Sequence, residues 1–287
     1  MENSIFDKKS RLSDKILSFL IQLSTFISVG LLVVIIGYIL IRGIPSFDFG
    51  YLVNTTSILK GTVGILPNII NTVYMIVVTL LIAGPISIGG AIYLNEYATN
   101  KKFVEVISFT TEVLAGIPSI IYGLFGMLFF GNLLKLGYSI LTGALTLAIM
   151  ILPIISRNTQ VALQAVPKSY REAALGIGAT KWYMIRTVLL PSAIPGILTG
   201  IILAMGRIVA ESAALLFTAG SLSMLPRGLF EHLFSSGGTL TIQLYLEMAK
   251  ANYEVAFVIA LILIVVVLVL NFLAKWISKR FDVNKID

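Results

Sequence analysis

Six long apolar stretches constrain what this chain can fold into. Crossing about 30 Å of hydrocarbon takes roughly 20 helical residues. A helix can lie in that layer because it satisfies its own backbone hydrogen bonds. The sequence therefore predicts an all-α, polytopic bundle of six transmembrane helices. We place the six spans near residues 16–41, 66–94, 107–134, 138–160, 192–218 and 253–277.

The amino-acid composition agrees with a membrane protein and excludes several kinds of site. Hydrophobic residues make up 57% of the 287 residues and charged residues 12%, which is about half the charged share of a soluble domain. The chain has no cysteine, so disulfides, Cys-ligated zinc and thiol catalysis are excluded. The single histidine, His232, leaves no His cluster for a metal. We therefore expect neither a metal nor a cofactor.

The basic residues are sorted by side of the membrane. If the N-terminus is inside, the segments 1–15, 95–106, 157–191 and the tail from Lys275 hold 15 Lys and Arg residues, against five on the other side. By the positive-inside rule, this bias places both termini in the cytoplasm. It also accounts for the net charge of +7 without a nucleic-acid partner.

The spans and the charge bias divide the chain into three parts. We assign a cytoplasmic segment to residues 1–15, a six-helix membrane domain to 16–277 and a cytoplasmic tail to 278–287. The first apolar stretch is too long for the core of a signal peptide, and no small-residue cleavage site follows it. We therefore expect it to be a retained helix.

A stripe of small residues runs along the fifth span. Gly196, Gly200 and Ala204 follow one another at steps of four, which lets another helix approach closely. Packing inside the bundle is the favoured interpretation, and contact with a partner subunit is the alternative.

Two charged residues in the fifth span are candidates for function. Arg207 lies near its middle, and Glu211 follows one turn later on the same predicted helix face. Each charge costs about 2.5–3.5 kcal/mol at mid-membrane on insertion scales, so such residues suggest a functional site. They either face a polar pathway or form a structural ion pair. In a pathway, we expect Glu211 to pair with an arginine while the pathway is empty.

Arg157, at the inner end of the fourth span, is a further candidate. Basic residues are common at inner helix ends, so its position alone does not assign a function. The planar guanidinium group matches the oxygens of an oxyanion. Two arginines near one path would therefore suit an oxyanion substrate.

The loop at about residues 165–191 carries the most specific motif. Glu172-Ala173-Ala174 is followed after three residues by Gly178, and after nine more by Val188-Leu189-Leu190-Pro191. Pro167 suits the first turn of a helix, and alanines leave room for another protein's surface. Gly178 can end the helix in a left-handed turn. The pattern predicts a short exposed helix with a face of small residues.

No nucleotide-binding loop accompanies this helix. A phosphate-cradling P-loop needs the pattern G-x-x-x-x-G-K-[ST], and the sequence contains no such string. The chain is therefore not expected to be an enzyme, and any ATP hydrolysis belongs to a separate subunit.

Four motifs resemble those of known importer permeases. The Glu172–Gly178 loop is similar to the "EAA" signature of permeases of ATP-binding-cassette (ABC) importers. Residues 91–97 and 114–126 are typical of phosphate permeases, and 206–219 resemble the phosphate permeases of the A type. That last stretch departs from the family at Ala210, Ser212 and Ala214 but keeps both charges. Together the resemblance covers residues 60–220.

The resemblance implies a type I ABC importer permease in the bacterial plasma membrane. Its expected partners are a C-type phosphate permease in a heterodimer, a homodimeric cytoplasmic ATPase, an extracytoplasmic phosphate-binding protein and membrane lipid. The ATPase would bind a coupling helix containing Glu172, Ala173, Ala174 and Gly178. Phosphate would pass along a pathway containing Arg157, Arg207 and Glu211.

Several interpretations stay open. The same machine could carry molybdate, tungstate or sulfate. A proton-coupled carrier using Arg207 and Glu211 would be expected to show inverted repeats, which we do not find, and an intramembrane enzyme would need a Ser-His, two-Asp or zinc-ligand set. The outer segment 219–252, with Gly237-Gly238, is either a re-entrant or interfacial loop or a docking surface for the binding protein.

Overall fold

The computed structural model describes residues 12–57, 62–225 and 228–280. The predicted cytoplasmic segment and tail therefore lie largely outside the described residues, as do Lys60 and Arg227. The helices are α1 Leu12–Gly43, α2 Gly50–Val53, α3 Leu66–Ile92, α4 Lys101–Gly116, α5 Ser119–Gly126, α6 Ile140–Ala165, α7 Lys168–Gly176, α8 Lys181–Met184, α9 Leu190–Ala210, α10 Ala213–Thr218, α11 Leu240–Ala249 and α12 Tyr253–Arg280.

Shorter elements complete the fold. Strands β1 Thr55–Ser57 and β2 Thr62–Ile65 form an antiparallel pair. In the described part of the chain, three π-helical segments and a 3₁₀ helix lie at or between the α-helices. They are Tyr93–Tyr97, Met127–Leu133, Ile185–Leu189 and, for the 3₁₀ helix, Glu231–Phe234.

Five spans are confirmed as helices long and apolar enough to cross a membrane, and the third differs from the prediction. In the described part of the chain, these five are Leu12–Gly43, Leu66–Tyr97, Ile140–Ala165, Lys181–Ala210 and Tyr253–Ile277. The third predicted span is instead a pair of helical segments, Lys101–Gly116 and Ser119–Leu133, bent by 99°. Pro118 explains the bend because the residue before a proline avoids the helical region, and Ile117 is extended with ψ 131.

The fifth span also differs from its predicted bounds of 192–218. Its helix begins eleven residues earlier at Lys181 and continues to Ala210. Glu211 is extended, with ψ 125, and α10 begins only at Ala213. Arg207 and Glu211 therefore do not share one helix face, which corrects the geometry expected from the sequence.

Helix α6 is the centre of the bundle. It is the most buried of the membrane-crossing helices and packs along both α3 and α9. The stripe on α9 makes its contact close. A Cβ atom built on Gly196 would lie 2.5 Å from Ala162 Cβ, and one on Gly200 would lie 2.7 Å from Asn158 Cβ. The interpretation of the stripe as internal packing is confirmed.

Helix α1 stands apart from this bundle. No residue in its apolar window is buried, and it packs against α12. The contact lies near the end of α1, where Gly43 is buried and Tyr38 meets the ring of Phe257 at 5.5 Å. Almost all of α1 is therefore free to face lipid or another protein.

The outer segment 219–252 folds back onto α3. The side-chain amides of Asn68 and Asn71 donate to the carbonyl of Gly238 at 2.9 and 3.1 Å. The backbone N–H of Leu240 donates to Thr72 Oγ1 at 3.0 Å. These buried bonds favour the re-entrant or interfacial interpretation for the segment around Gly238. Apolar side chains such as Phe230, 81% exposed, remain available on its surface.

Candidate functional site

Two broken helices meet inside the bundle. The α4–α5 break at Ile117-Pro118 and the α9–α10 break at Glu211-Ser212 belong to elements that pack together, since α5 lies against α10. The approach is close because a Cβ atom on Gly123 would lie 2.8 Å from Ala214 Cα. Tyr122 donates its hydroxyl to the Leu114 carbonyl at 2.7 Å. This bond satisfies a carbonyl near the end of α4, as a break at membrane depth requires.

Arg207 and Glu211 flank the second break. Arg207 is exposed in the last turn of α9, where the helix dipole favours a positive charge. Glu211 is 8% exposed, and its Oε1 accepts from the backbone N–H of Ala214 at 3.1 Å. This places a negative charge at the start of α10, again the favourable end.

The expected pairing of Glu211 with an arginine is not formed in this structure. The ion pairs between described residues join Arg171 to Glu96 and Lys250 to Glu247. Glu211 instead holds the break together, since its backbone carbonyl also accepts from Thr241 Oγ1 at 2.9 Å. Arg207 is left exposed in the last turn of α9.

Arg157 lies in a cavity of about 250 Å³ between α4 and α6. Hydroxyl and amide groups surround it, so the cavity offers several neutral hydrogen-bond donors beside one guanidinium group. Such a donor set suits an oxyanion, while Glu112 adds one negative charge. The polar lining residues are Ser108, Thr111, Glu112, Arg157, Asn158 and Gln160.

Sequence reasoning missed the α4 half of this cavity. Ser108, Thr111, Glu112 and Ala115 recur at steps of three and four, which puts them on one face of α4. That spacing was the available signal, and the apolar character of residues 107–134 hid it. In the described ranges, no group of three or more His, Asp or Glu side chains is placed to hold a metal.

The two arginines lie at different levels of the bundle. Gly200 packs against Asn158, so Arg157 is level with the middle of α9. Arg207 follows Gly200 by seven residues, which is about 10 Å along the helix. The structure therefore separates the two arginines along the bundle axis.

The EAA motif forms α7, and Gly178 ends it as expected. Gly178 has φ 83, and two bonds close the turn: Gly178 N–H to the Leu175 carbonyl at 3.0 Å and Ala179 N–H to the Ala174 carbonyl at 3.1 Å. This pair of bonds defines a Schellman motif. Pro167 precedes the helix as its N-cap rather than lying in its first turn.

The two alanines of the motif differ in exposure. Ala174 is buried in a cluster with Leu163 and Met184, so it packs the chain's own core rather than offering a surface. Ala173 and Glu172 are exposed. Large apolar side chains around them are exposed as well: Tyr170, Leu175, Ile177, Trp182 and Tyr183.

Arg171 and Glu96 were not singled out by the sequence. Arg171 Nη2 lies 3.1 Å from Glu96 Oε1 and donates to the Leu163 carbonyl at 2.8 Å, while Nη1 donates to the Val166 carbonyl at 2.9 Å. The guanidinium thus ties α7 to the end of α6 and to the segment after α3. An arginine directly before the EAA motif was the only local signal.

Comparison with solved structures identifies the fold. The fold of this chain is similar to that of a chain in the crystal structure of a bacterial ABC transporter involved in the import of the acidic polysaccharide alginate. The TM-score is 0.66 and the sequence identity is 19%, over 95% of this chain and 99% of that one. At this identity the likeness shows the fold alone.

Comparison of sequences gives the family. The profile described as "Binding-protein-dependent transport system inner membrane component" matches residues 87–283, and the chain belongs to this family. It is 36% identical to the probable ABC transporter permease protein YqgI of Bacillus subtilis, over 93% of this chain and 96% of that one. It is also 36% identical to the phosphate transport system permease protein PstA 2 of Mycobacterium bovis, over 83% and 80%.

Membership in the family carries consequences that hold for any substrate. The chain is a multi-pass membrane permease subunit without an ATPase site of its own, and such a subunit works with a partner permease, a separate ATPase and a substrate-binding protein.

Proposed function

We propose that this chain is the A-type permease of an ATP-driven phosphate importer and forms half of the phosphate pathway. The observation that carries the proposal is the placement of Arg157 and Arg207. Neither forms an ion pair with another described residue, and both are exposed. The name of the Mycobacterium bovis relative supports phosphate as the substrate.

The two arginines would act in sequence. Their separation of about 10 Å along the bundle suits a pathway with two successive anion contacts. Each contact should be weak enough for release, because conduction requires that binding does not trap the substrate. Arg157 would have help from the hydroxyl of Ser108 in its cavity, whereas the Thr111 hydroxyl already donates to the Ile107 carbonyl.

Glu211 would hold the pathway's geometry rather than bind phosphate. Phosphate and the carboxylate repel each other, and Glu211 is already bonded to Ala214 N–H. Its role is to fix the α9–α10 break beside Arg207.

The loop that contains α7 would face the cytoplasm, as would the N- and C-termini of the chain. We assign the cytoplasmic parts to residues 1–15, 278–287 and the loop at about 165–191, and the membrane domain to 16–277. Glu172, Ala173 and Gly178 would contact a homodimeric ATPase or shape the surface it binds, while Ala174 would hold α7 against the bundle. The other partners would be a C-type permease in a heterodimer and an extracytoplasmic phosphate-binding protein.

Reconstitution tests the proposal. The chain is assembled in liposomes with a C-type permease, ATPase and phosphate-binding protein, and the uptake of labelled phosphate, molybdate, tungstate and sulfate is measured with ATP or a non-hydrolysable analogue. We expect ATP-dependent uptake of phosphate. Uptake of another oxyanion in its place would overturn the substrate, and uptake driven by a proton gradient without ATP would overturn the mechanism.

A further inference from the structure

One short segment, Tyr93–Tyr97, contacts the α7–α8 region on both sides of the turn at Gly178. In α7, Arg171 pairs with Glu96 at 3.1 Å. At the start of α8, the Lys181 ammonium lies 4.9 Å from the centroid of the Tyr97 ring, within the range of a cation–π contact. Two neighbouring residues therefore grip the two sides of the Schellman turn at Gly178.

The contact between Arg171 and Glu96 is partly buried and geometrically fixed. The Glu96 side chain is 7% exposed and that of Arg171 is 20% exposed. Asn95 Nδ2 donates to Glu96 Oε1 at 2.6 Å. The guanidinium of Arg171 also donates to two backbone carbonyls, that of Leu163 in α6 and that of Val166 directly after α6. Because each charged group has several partners, the pair has little freedom to rotate away.

The segment that contains Glu96 and Tyr97 continues a membrane-crossing helix. Tyr93–Tyr97 extends α3 without interruption, and Leu66–Tyr97 is one span. Ile88 and Ile92, in the last turns of α3, also pack against the apolar cluster that contains Ala174. A displacement of α7 therefore acts directly on α3, and α3 packs along the central helix α6.

We propose that Glu96 and Tyr97 are positioning residues that transmit movement of the coupling region to α3. The proposal rests on the proposed function of α7 as the part that binds the ATPase. In this role Glu96 acts through Arg171 and Tyr97 acts through Lys181. Movement of the ATPase would reach the pathway through the α3 span as well as through the continuous helix Lys181–Ala210.

The test compares three variants in the full complex reconstituted in liposomes. Glu96→Gln removes the charge and keeps the shape, Tyr97→Leu removes the ring, and Tyr97→Phe is the matched control that keeps it. We expect Glu96→Gln to lower the phosphate imported per ATP hydrolysed by about tenfold, a typical size for coupling between two sites. Tyr97→Leu should lower the same ratio less, and Tyr97→Phe should leave it unchanged.

A second measurement is independent of the substrate. Hydrogen exchange of residues 88–97 is compared with and without the bound ATPase. Binding should protect this segment in the unmodified chain and in Tyr97→Phe, and should protect it less in Glu96→Gln and Tyr97→Leu.

The outcomes separate this proposal from the proposed function. If the unmodified complex imports a different oxyanion, the phosphate assignment fails. The amount of that oxyanion imported per ATP hydrolysed, together with the hydrogen-exchange data, then tests the coupling role in the same way. A purely structural role predicts that uptake, hydrolysis and ATPase co-purification fall together at a constant transport ratio, with unchanged protection by the ATPase. That result would overturn the proposal. So would a transport ratio and a protection by the ATPase in Glu96→Gln and Tyr97→Leu that equal those of the unmodified chain.

Discussion

At the scale of single residues, the two membrane charges are stabilised by helix ends rather than by each other. Arg207 lies in the last turn of α9, and Glu211 accepts from the Ala214 N–H at the start of α10. Each charge thus meets the favourable end of a helix dipole. The break between the helices reduces the cost of both charges and leaves the Arg207 guanidinium free to meet an anion.

Replacing Arg207 by glutamine should strongly lower uptake while the complex still assembles. The loss of a charged hydrogen bond to the substrate is about 1.5–3 kcal/mol, which corresponds to roughly a ten- to hundredfold loss of uptake. The measurement is phosphate uptake per assembled complex, with nucleotide hydrolysis recorded in parallel. Arg42→Gln, at the far end of α1, is the matched control and should import normally. Normal uptake in Arg207→Gln would remove this residue from the pathway.

His232 should make the outer segment less stable in acid. It is 3% exposed, its Nε2 lies 2.6 Å from Asn71 Oδ1, and burial lowers its pKa. Because the folded pKa lies below the unfolded value of about 6.5, the unfolded chain binds more protons between the two values, and stability falls as pH drops through that window.

Thermal unfolding in detergent at pH 7.5 and at lower pH measures this effect. The fall in Tm on acidification should be smaller in His232→Gln, which can still donate to Asn71. An equal fall in both proteins would show that other groups cause it.

At the scale of elements, the turn at Gly178 determines the shape of the coupling region. A Cβ atom there would meet nothing within 4 Å, so a substitution is penalised by the backbone conformation alone. A β-branched residue at φ 83 costs about 1–2 kcal/mol in this region, whereas asparagine tolerates it.

Gly178→Val should therefore weaken ATPase co-purification and uptake, and Gly178→Asn should retain both. Gly176→Ala is a second control, because Gly176 lies within α7 and has open space around it. Co-purification from membranes and uptake in liposomes are compared for the three variants. If the ATPase co-purifies with Gly178→Val as well as with Gly178→Asn, the turn does not shape the binding surface.

The same elements show what the sequence could and could not predict. Apolar length located five of the spans. The small-residue stripe predicted a close contact inside the bundle without naming α6 as the partner, and Gly178 predicted the end of α7. The break at Glu211 had no local signal, since neither glycine nor proline occurs there. It depends on Thr241, which is 30 residues away in sequence and donates to the Glu211 carbonyl. The α4–α6 cavity likewise required the packing of two distant segments.

At the scale of the whole molecule, the proposed orientation in the membrane rests on 15 basic residues on one side against five on the other. The absence of cysteine allows a direct test. Glu231 and Ser169 are both exposed, and they lie in the segments assigned to opposite sides. Glu231→Cys should react with an impermeant thiol reagent added outside intact cells.

Ser169→Cys should react only after the membrane is opened. Mass shift of the protein measures both reactions, and the unmodified chain, which has no thiol, is the background. The reverse pattern would invert the orientation, and with it the assignment of α7 to the cytoplasmic ATPase.

The isolation of α1 has a consequence for how this protein responds to bilayer thickness. Its apolar stretch, residues 16–41, has a helical length of about 39 Å, against a hydrocarbon layer of about 30 Å. A helix of this excess length tilts from the bilayer normal, and neighbouring helices normally fix the tilt angle. Here the chain's own bundle meets α1 near one end, so lipid or a second subunit sets the inclination. Thinner membranes should increase the lean of α1 and leave the orientation of α6 unchanged.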